Sequence, residues 1–343
     1  MDGASAAAAS SGCDYDESQP QKEIPTLVDA SSAPSTSNTN PSPESSIVPS
    51  LEEECYTSGF NDDSMQGIEK QLAPFVGSKE PLSALAAEFK SGSPIMQEKI
   101  KLLGEKYTAL RRTRGDGNCF FRSFMFSYLE HILVTQDSRE KDRVMFEIER
   151  CRLDLLTLGY TEFTYEDFFN TFTELLENCI PGTEASLSLT DLLGKACDQM
   201  ISNCAVMFLR FVTSAALQKR AEFFEPFVIG PSHKSVVEFC KLSVEPMGEE
   251  SEHVHIIALC EALGVPIRVV YLNARSSGDP ENPNAPNHHD FFPYDQNNGS
   301  DSPDAANVST DLSKQEKPAL QENPAPFVTL LYRPGHYDIL YPM

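Results

Sequence analysis

The chain has 343 residues, with 51 Asp and Glu against 27 Lys and Arg, a formal net charge of −24 and a pI near 4.6. That balance excludes a phosphate-tracking groove or an anionic-membrane surface, which need clustered Lys and Arg, and suits a partner with a basic face. No uninterrupted apolar run approaches the roughly eighteen residues of a membrane span, and the N-terminal alanine run has neither a basic n-region nor a long h-region, so no secretory signal is expected.

Residues 1–65 are rich in Ser, Ala, Pro and Thr and carry twelve acidic residues against the single Lys22. A segment so poor in periodic apolar positions cannot offset its ordering entropy, and it is expected to be a disordered acidic extension. Residues 66–112 read as a helical arm. Leu82, Leu85 and Phe89, then Ile95, Ile100, Leu102 and Leu103, predict two short amphipathic helices broken at Ser91-Gly92-Ser93-Pro94.

Residues 113–343 hold the chemistry. Gly115-Asp116-Gly117-Asn118-Cys119-Phe120 is a tight polar loop running into a segment whose apolar residues Phe120, Phe124, Leu129, Ile132 and Leu133 keep helical spacing. Cys119 therefore sits at the first turn of a helix, where unpaired N–H groups and the helix dipole favour thiolate. The glycines flanking Asp116 let backbone amides converge on one point, as an oxyanion hole requires. A phosphate-cradling loop is the weaker reading: no Gly-Lys-Ser/Thr follows, and Asp116 would repel the anion.

Further helices are predicted at Ser138–Leu158, stopped by Gly159, and at Phe168–Asn178 behind a capping-box-like Thr164-Tyr165-Glu166-Asp167. Ser188-Leu189-Thr190-Asp191 repeats the signature before Leu192–Ser202, and a longer apolar helix covers about Ala205–Phe224 with Arg210, Lys219 and Arg220 expected in solvent. Ser235–Leu242 reads as a short helix, and Ser251–Leu263, closed by Gly264, as another. His253 and His255 lie in the last of these, but residues two apart do not share a helix face and no Cys or carboxylate stands at ligand spacing, so no metal site is read there. Pro266–Leu272 is a buried strand. Residues 274–326, rich in Pro, Asn, Asp and Ser, form a disordered insertion in which His288 and His289 are expected in solvent and Phe291-Phe292-Pro293 to touch the surface.

Of the seven histidines, His336 stands out. Phe327–Tyr332 reads as a strand, Pro334-Gly335 as a turn and residues 336–341 as the returning strand, whose alternation puts His336 and Asp338 on one face. Asp338 is then placed to hold the imidazole in the tautomer that leaves its other nitrogen for Cys119. The nine cysteines include no Cys-x-x-Cys pair, which points to free thiols in a reducing compartment, all but Cys119 serving as small buried hydrophobes or lying inert in the extension. The fold class is α+β: many helices, a small mostly antiparallel sheet, and a cleft between the Cys119 helix and the His336 hairpin.

Asp116-Gly117-Asn118-Cys119-Phe120 together with His336-Tyr337-Asp338 resembles the ovarian-tumour (OTU) family of cysteine deubiquitinases. Thr161-Glu162-Phe163-Thr164, Val244-Glu245-Pro246-Met247, His253–Leu259 and Tyr332–Tyr341 resemble its otubain branch. The similarity runs from about residue 80 to residue 343, with three departures: Gly115 where otubains carry proline, a longer loop after Asn273 and a longer N-terminal extension. The resemblance implies a papain-like fold and a ubiquitin isopeptidase or thioesterase with Asp116, Cys119, His336 and Asp338 in its site. It needs no cofactor or metal and works on ubiquitin and polyubiquitin chains in cytoplasm and nucleus. It also implies a second activity, the non-catalytic restraint of a ubiquitin-conjugating enzyme, and neither nucleic acid nor membrane as a partner. Asp116 and Asn118 are expected to shape the loop rather than transfer protons.

Overall fold

The hairpin at the C-terminus supplies the middle of the sheet. In the computed structural model, which describes residues 73–90, 93–182, 185–232, 234–273, 284–293 and 325–343, six strands form one sheet in the order β1-β2-β6-β5-β3-β4. They are β1 (Val76–Pro81), β2 (Tyr107–Thr113), β3 (Ile267–Tyr271), β4 (Asn287–Phe291), β5 (Val328–Arg333) and β6 (His336–Pro342). Every pairing is antiparallel except β3 with β5. Arg333 pairs with His336 across a two-residue turn whose Gly335 has φ +72°, the left-handed value a type II turn demands after proline.

The two faces of the sheet are covered differently. Val269, Val328, Leu330, Tyr337 and Ile339 share the main core with the helices, whereas Tyr107, Leu110, Val270, Leu331 and Leu340 pack on α1 (Leu82–Glu88) and α2 (Pro94–Leu103) through Leu82, Leu85, Ile100 and Leu103. The arm is therefore not all helix. It contributes two strands as well, one of which, β2, lies directly against β6. The sequence concealed β2 because nearly all of it is buried, Arg111 included, so the period of two disappears.

The remaining helices are α3 (Cys119–Thr135), α4 (Ser138–Thr157), α5 (Glu162–Asn178), α6 (Leu189–Cys197), α7 (Gln199–Lys219), α8 (Ala221–Ser232), α9 (Val236–Phe239, continued by a π turn over Cys240–Val244) and α10 (His253–Leu263). The Ser188 capping box forms as read, its hydroxyl accepting from the Asp191 amide at 3.2 Å. The next helix starts sooner than expected because Asp198 caps it through Ile201 N at 2.9 Å. α5 also begins early: Thr161 and Thr164 bond to each other at 2.9 Å, so Thr164 lies inside the helix rather than capping it.

α7 is long and apolar enough to cross a membrane, contrary to the sequence reading, yet 67% of its apolar window is buried inside the domain. It is the core helix of a folded unit. The proposed extension 1–65 and most of 274–326 lie outside the described residues, but the insertion does contain a strand. β4 pairs with β3, sealed by Phe291 under Ile267 and by a two-pronged Arg268–Asp290 pair at 2.7 and 2.6 Å. His288 is exposed there, as expected, and His289 is half-buried against Phe291.

Candidate active site

Cys119 is the first residue of α3, with Asn118 at the N-cap position. The loop that delivers it is built on backbone that only glycine tolerates. Gly117 has φ +75°, and a Cβ there would stand 1.8 Å from the carbonyl oxygen of Gly248. The loop is thus pressed onto the segment before α10. Asn118 ties the two together: its Oδ1 accepts from Gly248 N at 2.9 Å and from Arg210 Nη2 at 2.8 Å, while its Nδ2 donates to Asp116 O at 3.2 Å.

Asp116 does not supply a second base. Its Oδ1 accepts the Asn118 amide at 3.0 Å and its Oδ2 accepts Arg122 Nη2 at 2.9 Å. Its own amide donates to Arg114 O at 3.0 Å. The carboxylate closes the turn, and an arginine locks it.

Two arginines underlie this loop, and the sequence reading assigned neither to it. Arg122 is 1% exposed and also donates to Ser202 Oγ and Asn203 Oδ1, with its guanidinium over the Phe75 ring. Arg210, expected in solvent, is fully buried and donates to the carbonyls of Val244 and Glu249, each at 2.8 Å, and of Gly117 at 3.2 Å, besides Asn118. Burial pushes its guanidinium down to about 10 against the nearby negative charges of Glu249 and Asp116. A signal was present: one charge amid Phe208, Leu209, Phe211 and Val212 in a helix core must be paired if it is buried.

His336 opens β6 and bridges the two halves. Its Nε2 meets Asp338 Oδ1 at 2.9 Å, and Cys119 stands near enough to the ring to raise its pKa. A Cβ at Gly115 would stand 3.6 Å from Nδ1, an ordinary van der Waals contact. With Nε2 occupied by the carboxylate, Nδ1 is the nitrogen left for the sulfur. Burial opposes charge on the ring, but the hydrogen bonds to Asp338 and Cys119 and their negative charges outweigh it and raise His336 to about 9. The imidazolium is therefore the neutral-pH form, and a cation stands against the Cys119 sulfur, as thiolate chemistry requires.

Burial pushes Cys151, Cys179 and Cys240 up to about 12, the environment of inert thiols. Of the two adjacent histidines, His255 is buried and structural, with Nδ1 accepting from Glu252 N at 3.0 Å and burial lowering it to about 4. His253 faces outward, bonded to the Tyr271 hydroxyl at 2.7 Å. It lines a cleft of about 670 Å³ that opens beside Cys119 between Glu250, Ile257, Tyr271, Tyr332 and Tyr337.

The sequence profile of the peptidase C65 otubain family matches residues 69–342. Over 279 residues the chain is 55% identical to ovarian tumor domain-containing deubiquitinating enzyme 1 of Arabidopsis thaliana, covering 81% of this chain and 84% of that protein. It is 41% identical over 277 residues to the ubiquitin thioesterase OTUB1 of Homo sapiens, covering 80% and 86%. Among solved structures, a ceOTUB1 complex with ubiquitin aldehyde and UBC13~Ub superposes with a TM-score of 0.64 at 28% identity, covering 82% of this chain and 99% of that one. A h/ceOTUB1 complex with ubiquitin aldehyde and UBCH5B~Ub gives 0.62 at 29% identity, covering 82% and 94%.

Proposed function

We infer that this chain, which belongs to the peptidase C65 otubain family, is a cysteine deubiquitinase that hydrolyses the bond to the C-terminal glycine of ubiquitin, in conjugates or between ubiquitins. The observation that carries the reading is His336, held by Asp338 and set beside Cys119, which lines a cleft.

The Cys119 thiolate attacks the glycine carbonyl carbon, and the carbonyl electrons move to oxygen. The amides of Asp116 and Asn118 are spent inside the loop, which leaves those of Gly117 and Cys119 to meet the oxyanion. As the intermediate collapses the C–N bond breaks, and the His336 imidazolium passes its proton to the departing lysine amine. Neutral His336 then takes a proton from water, whose oxygen displaces the thioester and releases the ubiquitin carboxylate and the Cys119 thiol. Asp338 stabilises the imidazolium and fixes the ring; Asp116 and Asn118 hold the loop. The acidic net charge suits ubiquitin, whose patch and tail are flanked by basic residues.

A second activity has its own support. The structural relatives are complexes with ubiquitin-charged UBC13 and UBCH5B. This chain therefore also takes ubiquitin-conjugating enzymes as partners, and such binding restrains them without cleavage. The free thiols, with no disulfide among the described residues, support work in the reducing cytoplasm and nucleus. The test is a panel of di-ubiquitins incubated with wild type and Cys119→Ser. Cleavage by wild type alone is expected, with conjugating-enzyme restraint surviving in the variant; equal cleavage by both removes Cys119 from the mechanism.

A further inference from the structure

Asp338 is an unusual place to keep a negative charge. Its side chain is fully buried, and an isolated carboxylate there would take up a proton rather than stay ionised. Four groups meet it. Oδ1 accepts from His336 Nε2 at 2.9 Å and from Thr113 N at 3.0 Å, Oδ2 accepts from Arg333 Nη2 at 2.6 Å, and Arg112 Nη1 stands 3.8 Å from Oδ2. Burial raises this carboxyl; the His336 hydrogen bond, the Arg333 and His336 charges and the Thr113 amide together hold it below the usual range.

The two arginines are themselves held, and from one place. Glu88, the last residue of α1, forks onto Arg112, with Nη1 at 3.3 Å from Oε2 and Nη2 on Oε1. It also lies 3.6 Å from Arg333 Nη1. Glu80 of β1 accepts Arg112 Nε at 2.7 Å. Three acids (Glu80, Glu88, Asp338) thus balance Arg112, Arg333 and protonated His336 in one network crossing β1, α1, β2, β5 and β6. The topology accounts for it: Leu110 and Leu340 are on the sheet face covered by α1 and α2, and strand alternation puts Arg112, His336 and Asp338 on that same face.

We propose that Arg333 and Arg112, clamped by Glu88, are positioning residues for the catalytic carboxylate, which makes the arm helix α1 a working part of the active site. The inference rests on the reading of Cys119, His336 and Asp338 as the reacting set. Arg333 holds Oδ2 so that Oδ1 stays in line with the imidazole, and Glu88 limits the travel of both guanidiniums. Glu88 is the solvent-facing end of the network, its side chain 48% exposed, against 25% and 22% for Arg112 and Arg333 and none for Asp338.

The experiment uses the full chain and a ubiquitin C-terminal fluorogenic substrate. Variants Arg333→Gln, Arg333→Lys, Glu88→Gln and Glu88→Lys are made in wild-type and Asp338→Asn backgrounds, with His336→Ala as reference. Arg333→Gln is expected to lower kcat on the order of tenfold, below the roughly hundredfold that a misplacement of about 1 Å costs, with KM held within about twofold. Arg333→Lys, which returns the charge without the fork, recovers part of the loss, and Glu88→Lys loses more than Glu88→Gln. In the Asp338→Asn background these losses disappear, because no carboxylate remains to be held. Where turnover there is too low to follow, the rate of Cys119 alkylation by iodoacetamide, read by mass spectrometry, gives the same comparison.

If Arg333→Gln does not fold, the Glu88 pair decides, since that side chain is half exposed. Wild-type kcat in the Glu88 and Arg333 variants overturns the proposal, as do a loss confined to KM or losses undiminished in the Asp338→Asn background. None of these outcomes rescues His336→Ala or Cys119→Ser, so the triad reading stands or falls separately.

Discussion

Replacing Arg210 by methionine keeps most of the length and apolar bulk of the side chain and removes the guanidinium that joins the nucleophile loop to Val244 and Glu249. Three backbone carbonyls lose their guanidinium partner: Val244, Glu249 and Gly117; Asn118 Oδ1 keeps only the Gly248 amide. Each buried acceptor left unpaired costs about 1–3 kcal/mol, and removing one partner of a buried charged network about 3–5 kcal/mol. Relief of the buried guanidinium's own desolvation offsets part of that, and the net expectation is about 3 kcal/mol. For a domain of this size that is roughly 6–12 °C in Tm. Turnover should fall as well, since the same bonds hold Gly117 and Asn118, the residues that set the Cys119 amide. Arg210→Lys retains the charge but cannot span four acceptors on three segments, so it should recover less than half of the loss. The assays are thermal unfolding and steady-state hydrolysis of the fluorogenic ubiquitin substrate. A Tm shift below about 2 °C with unchanged kcat in Arg210→Met would mean that the arginine supports neither fold nor loop.

Gly117→Ala forces a left-handed residue, costing about 1–2 kcal/mol, and sets its Cβ 1.8 Å from the Gly248 oxygen, so the loop must move. Turnover is expected to drop on the order of a hundredfold in a protein that still melts cooperatively; near-normal kcat would show that the loop does not need its observed course. The His336 contribution to stability has a definite sign. Its folded pKa of about 9 lies above the ordinary 6.5, so the stabilisation is complete below 6.5 and is lost as pH rises through 9. The Tm difference between wild type and His336→Gln should therefore shrink between pH 6.5 and 9, and a constant or growing difference contradicts the ion pair. Finally, His336→Ala should cost nearly as much turnover as Cys119→Ser, whereas Asp338→Asn should cost less than the roughly ten-thousand-fold known for the serine triad, because a thiol needs less activation. Wild-type turnover in both Asp338→Asn and Asp338→Ala would remove the carboxylate from the set.

What is local in this protein was legible in its sequence. Cys119 at a helix start follows from the glycine loop and the helical spacing behind it. His336 and Asp338 on one strand face follow from the Pro334-Gly335 turn and a period of two, and the Ser188 box from four consecutive residues. Each depends on neighbours within about one turn or one hairpin, where backbone geometry alone decides. The fate of a charge or of a strand edge does not. Arg210 reads as a solvated residue until Gly117 and Asn118, 93 and 92 positions away, are folded over it. Nothing local marks Arg333 and Arg112 as partners of the carboxylate; α1 brings Glu88 to both only in the folded chain. β2 and β4 read as helix end and loop because a strand's partners lie elsewhere in the chain, and in β2 burial on both faces also erases the alternation. Local pattern thus picked out the residues proposed to do the chemistry. Packing between distant segments decided which charges are buried to hold them, because the cost of burying a charge is set by the partner that meets it there.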